Sequence, residues 1–221
     1  MTLPRDVVVP GVLAEYRSFA ELIRPLSVAE WTSSSRCDGW QVSDIAAHVV
    51  GQLTDVVNLR LEGLGTPEVT ERQADERRGR PSAQLAEELD SSLGVAEGLI
   101  SAFDDAAWSG SAPPGTNGTL GFGIEALWFD TFLHAGDIRS ALGDPRLEGD
   151  GLRPSLSHIA QVLTDQGFGP ANLSLTGFET FPVSGGVGCS ITGDAAEFVL
   201  ASTGRGDPAI FGLDETVNIY R

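Results

Sequence analysis

Four stretches of the chain carry apolar residues at helical spacing, and all four end before Pro145. No other feature constrains the fold as much, because amphipathic helices must bury their stripes against one another. The first stretch runs from Val12 to Leu26, with Val12, Leu13, Tyr16, Phe19, Ala20, Leu22 and Ile23 in one stripe and Pro25 marking its end. The second runs from Asp44 to about Glu62 behind Ser43 as N-cap, with Ile45, Val49, Leu53, Val56 and Val57 on one face. Pro81 and Ser82 open the third, over residues 82–103, where Leu85, Leu89, Leu93, Ala96 and Ile100 are in register. The fourth covers residues 120–142 and is stopped by Gly143 and Pro145. Between the second and third, the charged run from Glu68 to Arg80 predicts a solvated loop or an exposed helical turn. Residues 109–117, with Pro113 and Pro114, read as a loop. Four long amphipathic helices predict a bundle.

After Pro145 the texture changes. The pattern predicts one more helix over residues 154–166, strands over 172–176 and 187–191, a short helix over 194–202 and a last strand over 216–220. Glycines crowd the stretch between 167 and 212, which suits tight turns in a small mixed unit. The expected class is therefore α+β: a helical bundle over residues 1–146, then a small α+β domain over 147–221.

Charge narrows the range of functions. With 31 acidic against 14 basic residues the formal charge is −17, a field that repels phosphate backbones and anionic lipid surfaces. No nucleic-acid partner and no membrane partner is expected. Every basic residue is arginine, so Schiff-base chemistry and a lysine-bearing phosphate loop are both excluded. No apolar run reaches membrane-spanning length, and residues 1–6 lack the basic and apolar segments of a secretory signal. Cys37 and Cys189 form no C-x-x-C pair and read as reduced thiols in a cytoplasmic protein, Cys37 as a buried structural one. Gly121 to Ala126 fits G-x-G-x-x-A, but no strand precedes it, so it is not a dinucleotide fingerprint. The tryptophans Trp31, Trp40, Trp108 and Trp128 read as core and helix-end packing. Bundles of this size are often homodimers, and nothing in the sequence demands one.

The histidines point to chemistry. Asp130 and His134 stand four residues apart in the fourth stretch, on one helical face, and Asp137 follows three residues later. His48 lies among alanines and valines in the second stretch. Side chains of facing helices converge in a bundle core, and two imidazoles with one carboxylate form a set that zinc accepts with a fourth position open. Asp137 is then placed to orient a ligand from behind. The same spacing also fits a surface Asp–His pair, and His48 also fits a satisfied core histidine.

The segment from Trp31 to Val49, with Cys37-Asp38-Gly39-Trp40 and Ala47-His48, resembles the opening signature of the DinB-like, mycothiol-dependent maleylpyruvate isomerase family. The family's later Glu-x-x-x-His-x-x-Asp element is matched by Asp130 to Asp137, with Asp in place of the first Glu. The stretch from Ile191 to Arg205 is similar to the family's small, sterol-carrier-like second domain. This resemblance implies a DinB-like four-helix bundle, a divalent metal, usually zinc, bound by His48, Asp130 and His134, and mycothiol or a similar low-molecular-weight thiol as co-substrate. It implies that Arg205 anchors a substrate or cofactor carboxylate, where the bare sequence offers only a loop arginine between two glycines. The activity implied is isomerase or S-transferase on a small electrophilic or unsaturated substrate: a thiolate adds to a conjugated double bond, and either leaves again after rotation or stays attached. Aspartate is one methylene shorter than glutamate, so the substitution at Asp130 also fits a weaker or remodelled site. A metal-free small-molecule-binding relative, or a tailoring cyclase or isomerase using the same cleft, are the alternatives.

Overall fold

The computed structural model describes residues 3–112 and 118–221. Residues 113–117 of the expected 109–117 loop lie outside the described residues. The elements are α1 (Arg5–Ile23), α2 (Val28–Trp31), α3 (Val42–Val57), α4 (Pro67–Asp75), α5 (Ser82–Ala102), α6 (Asp105–Ser109), α7 (Leu120–Ala141), α8 (Leu152–Asp165), β1 (Ala171–Leu175), β2 (Phe181–Val183), β3 (Cys189–Gly193) and α9 (Ala195–Ser202). The class is α+β. The chain divides into two compact units, Pro4–Arg146 and Leu147–Arg221, with Leu3 grouped with the latter.

In the first unit α1, α3, α5 and α7 form a closed ring, α1 against α5 and α7, and α3 against the same two helices. The apolar stripes meet inside it, where Tyr16, Phe19, Ile45, Leu53, Leu85, Leu89, Phe132 and Leu133 are fully buried. Removing that surface from water is the main favourable term holding the bundle together. Gly11 lets α1 and α7 approach closely, because a Cβ there would overlap the Trp128 ring. Trp128 Nε1 in turn donates to Glu15 Oε2 at 3.3 Å, so its polar edge stays satisfied.

Several boundaries differ from expectation, each for a local reason. The first helix starts at Arg5 and runs through Pro10. The N-cap of α3 is Gln41, not Ser43: the Asp44 carboxylate accepts the Gln41 N–H at 2.9 Å, the reciprocal half of a capping box. The helix stops at Val57 rather than Glu62, since Leu59 takes a left-handed φ of 58° and Arg60 N–H closes onto Asp55 O at 2.8 Å. The charged run is helical as α4, and Gln73, Ala74 and Arg77 within it are buried, not solvated. Gly51 permits this docking, because a Cβ there would lie 2.7 Å from Gln73 Cβ.

The second unit holds a three-stranded sheet in the order β2-β1-β3. β1 pairs antiparallel with β2 (Leu173 opposite Phe181) and parallel with β3 (Ala171 opposite Cys189). Ala171, Leu173 and Leu175 are buried, the alternation of a sheet covered on one face. α8 packs on β2 and α9. The expected strand over 216–220 is instead a 3₁₀ turn, Glu215–Val217, with the Asp214 carboxylate accepting the Thr216 N–H at 2.9 Å. Val217 and Ile219 are buried, but the backbone of Ile219 bonds to Ser202 O and to the Gln166 side chain, not to a strand. No described helix is long and apolar enough to cross a membrane. Cys37 and Cys189 are not in a disulfide.

Candidate metal centre

Asp130, His134 and Asp137 lie along one stripe of α7, and His48 faces them from α3. His48 Nε2 stands 3.3 Å from Asp130 Oδ2, and His134 Nε2 stands 3.6 Å from Asp130 Oδ1. The imidazole rings meet edge to face with centroids 5.2 Å apart. His48 is buried, and the Asp130 side chain keeps 21% of its surface exposed, so the cluster has an opening.

The hydrogen-bond partners fix which nitrogen of each ring carries its proton. Asp55 is a buried carboxylate held by Arg60 at 2.5 Å and Arg72 at 2.6 Å, and a carboxylate only accepts. Gln73 therefore turns its NH₂ to Asp55 (2.7 Å) and its carbonyl to His48 Nδ1 (2.9 Å). The carbonyl accepts, so the His48 proton sits on Nδ1 and the Nε2 lone pair faces Asp130. His134 repeats the arrangement with Asp137 Oδ2 2.9 Å from its Nδ1. With neutral rings, three lone-pair-bearing atoms converge and no hydrogen lies between them. Gln52 Nε2 donates to Asp130 Oδ2 at 3.1 Å, which satisfies one lone pair and leaves the two imidazole contacts.

A shared proton or a cation resolves such a cluster. Two imidazole nitrogens and one carboxylate form a zinc-type donor set with an open position, and ligands about 2.0–2.1 Å from a tetrahedral zinc stand roughly 3.3–3.4 Å apart. The three donor atoms here all lie within 4.8 Å of one another, so the residues present fit a divalent metal. Burial alone would raise the Asp130 pKa, but attraction to the His134 and His48 rings when they carry a shared proton, together with the Gln52 amide, outweighs it and holds the carboxyl well below its usual range. The Asp130 carboxylate is thus anionic at every physiological pH. The shorter aspartate does reach the histidines.

Asp137 is fully buried and gathers three donors: Arg36 Nε at 2.6 Å and Cys37 Sγ at 3.2 Å from the turn before α3, and His134 Nδ1. Cys37 is half-buried and joined to this network, so it is not the inert buried thiol expected. Cys37, His134 and Asp137 also cluster within 4.8 Å, but the Asp137 oxygens are already engaged by donors. Arg36 Nη2 is buried with no hydrogen-bond partner among the described residues. The Trp40 ring lies 5.7 Å from the His48 ring, so this tryptophan flanks the site and is more than helix-end packing. Arg205 belongs to the second unit, in the turn after α9, where its Nη1 donates to Thr203 O at 3.0 Å.

Sequence reasoning missed Gln52, Gln73, Asp55 and Arg36. Gln52 is four residues after His48 on one helical face, a detectable signal. Gln73 sits in a run of charges and carries none.

Residues 12–139, more than half of the chain, match the family model of the mycothiol maleylpyruvate isomerase N-terminal domain. Two solved structures are similar. A crystal structure of the mycothiol-dependent maleylpyruvate isomerase aligns with a TM-score of 0.64 at 20% identity, covering 92% of this chain and 90% of that one. A histidine-to-alanine mutant of that isomerase aligns with the same TM-score and coverages at 19% identity. At such identity the likeness is one of fold. No curated protein matches the chain.

Proposed function

Since the chain belongs to the mycothiol maleylpyruvate isomerase family by its N-terminal domain, we propose that it is a metal-dependent enzyme that uses a low-molecular-weight thiol, mycothiol or a similar one. The reaction is isomerisation or S-transfer on a small electrophilic or unsaturated substrate, and the setting is the cytoplasm. The metal is divalent, zinc for preference, with His48, Asp130 and His134 as its ligands. The observation that carries this reading is the convergence of three lone-pair-bearing atoms with both imidazole protons turned away from them.

When bound, the metal holds a coordinated thiol in its thiolate form at neutral pH. The protein's own residues set the stage for that. Gln73 and Asp137 lock the ring orientations of His48 and His134, and a carboxylate behind an imidazole also raises its basicity as a ligand. Gln52 holds one Asp130 oxygen, which limits rotation of the carboxylate. Arg36 offsets the Asp137 charge, so the buried carboxylate remains ionised beside the centre. Arg205 is assigned the anchoring of a substrate or thiol carboxylate, a task suited to its bidentate fork.

Elemental analysis of untagged wild type beside His134→Ala tests the reading. Near-stoichiometric zinc in the wild type and its loss in the variant are expected. Wild type that takes up no metal even when zinc is supplied overturns it.

A further inference from the structure

Away from the histidines, all four long helices of the bundle enclose a cavity of about 510 Å³. Only Tyr16 and Ser111 among its lining residues carry side-chain polar atoms, and none carries a charge. The Tyr16 hydroxyl is committed to Gln52 Oε1 at 3.3 Å. Protein interiors normally leave few voids larger than a water, because unfilled space forfeits dispersion contacts. Here the sequence keeps the space open. Gly123 lies in the first turn of α7 on the cavity lining, and a Cβ built there meets nothing within 4 Å. Neither its backbone, which has no positive φ, nor its neighbours require a glycine. Leu59, also on the lining, is 73% exposed and held at φ 58°, a conformation that leucine rarely adopts. Strain of that kind gathers at ligand clamps.

We propose that this cavity binds a neutral, hydrocarbon-rich small molecule. At roughly 30 Å³ per heavy atom the space suits about seventeen of them. Small dicarboxylates and polar thiols find no partner on these walls, and His48, Asp130 and His134 do not line them, so the proposal does not rest on the function proposed above.

The test is a fluorescence titration of the full-length chain, with chelator present, using phenylnaphthylamine as a neutral probe of matching size. Wild type is expected to bind one equivalent in the micromolar range. Gly123→Leu fills the space and is expected to weaken binding at least tenfold while its thermal midpoint holds or rises. Ala96→Met makes the same test if the first variant fails to fold. Anilinonaphthalene sulfonate, which carries a charge, is expected to bind at least tenfold more weakly than the neutral probe. Absence of saturable binding, unchanged binding in a folded cavity-filling variant, or equal affinity for the charged probe each overturns the proposal.

Discussion

Gln73 Oε1 lies 2.9 Å from His48 Nδ1, so a residue of the charged helix α4 sets the proton position of a histidine buried in α3. Gln73→Leu removes the acceptor and frees the ring to flip. Metal affinity is expected to fall by about 10–100-fold, the usual effect of losing the partner behind a ligand. A competition titration against a chelator measures this, and wild-type affinity in the variant would sink the positioning role.

Asp130→Asn separates metal binding from stability. The amide oxygen can keep the Gln52 N–H while its NH₂ faces His134 Nε2, so the polar contacts of the cluster survive without the carboxylate charge. The metal-free variant is expected to melt within about 4 °C of the metal-free wild type, since a hydrogen bond gained or lost is worth about 1 kcal/mol and shifts a chain of this size by roughly 2–4 °C. Its zinc affinity falls by orders of magnitude. Calorimetry with and without zinc reads both effects in one experiment.

Glu88 gives the acid limb of the stability curve. Burial alone would raise its pKa, but hydrogen bonds and charge from Arg77, a bond from Thr54 and the nearby Arg80 outweigh burial and lower it below 4.5. A depressed carboxyl binds fewer protons folded than unfolded. Its contribution is therefore complete above about pH 4.5 and is lost as pH falls through the folded value. Glu88→Gln is expected to flatten stability against pH in that window. At neutral pH it costs about 3 kcal/mol, because Arg77, only 5% exposed, loses its principal partner. Denaturant melts between pH 3 and 7 decide the matter.

Gly51→Ala probes the docking of α4. The new methyl would meet Gln73 Cβ at 2.7 Å, and overpacking of this kind costs roughly 1–3 kcal/mol. Because Gln73 moves with α4, the variant should also bind zinc more weakly. A Gly51→Ala protein that loses stability but keeps wild-type zinc affinity would uncouple the two.

The bundle was legible because its stripes are long: Leu85 to Ile100 in α5 and the apolar positions of α3 repeat over several turns, and period is what burial selects. The Asp130–His134–Asp137 stripe was legible for the same reason. The start of α1 and both ends of α3 were not, since caps are made by single polar atoms such as the Asp44 carboxylate, which leave no periodic trace, whereas Pro81 and Gly143 marked α5 and α7 to within a residue or so. β2 escaped notice because it is three residues long with Pro182 at its centre, tolerable on a sheet edge but outside any alternation count. Gln73 escaped because Gly51, a residue with no side chain, decides that α4 is buried at all.

The placement of Trp40 has a practical consequence. Its indole lies 5.7 Å from the His48 ring, near enough for emission to respond to the charge of that imidazole. The other three tryptophans sit elsewhere: Trp31 donates to Arg80 O, Trp128 packs between α1 and α7, and Trp108 lies against Gly121. The chain thus carries its own optical reporter, and occupancy of the histidine cluster can be followed in real time without a label.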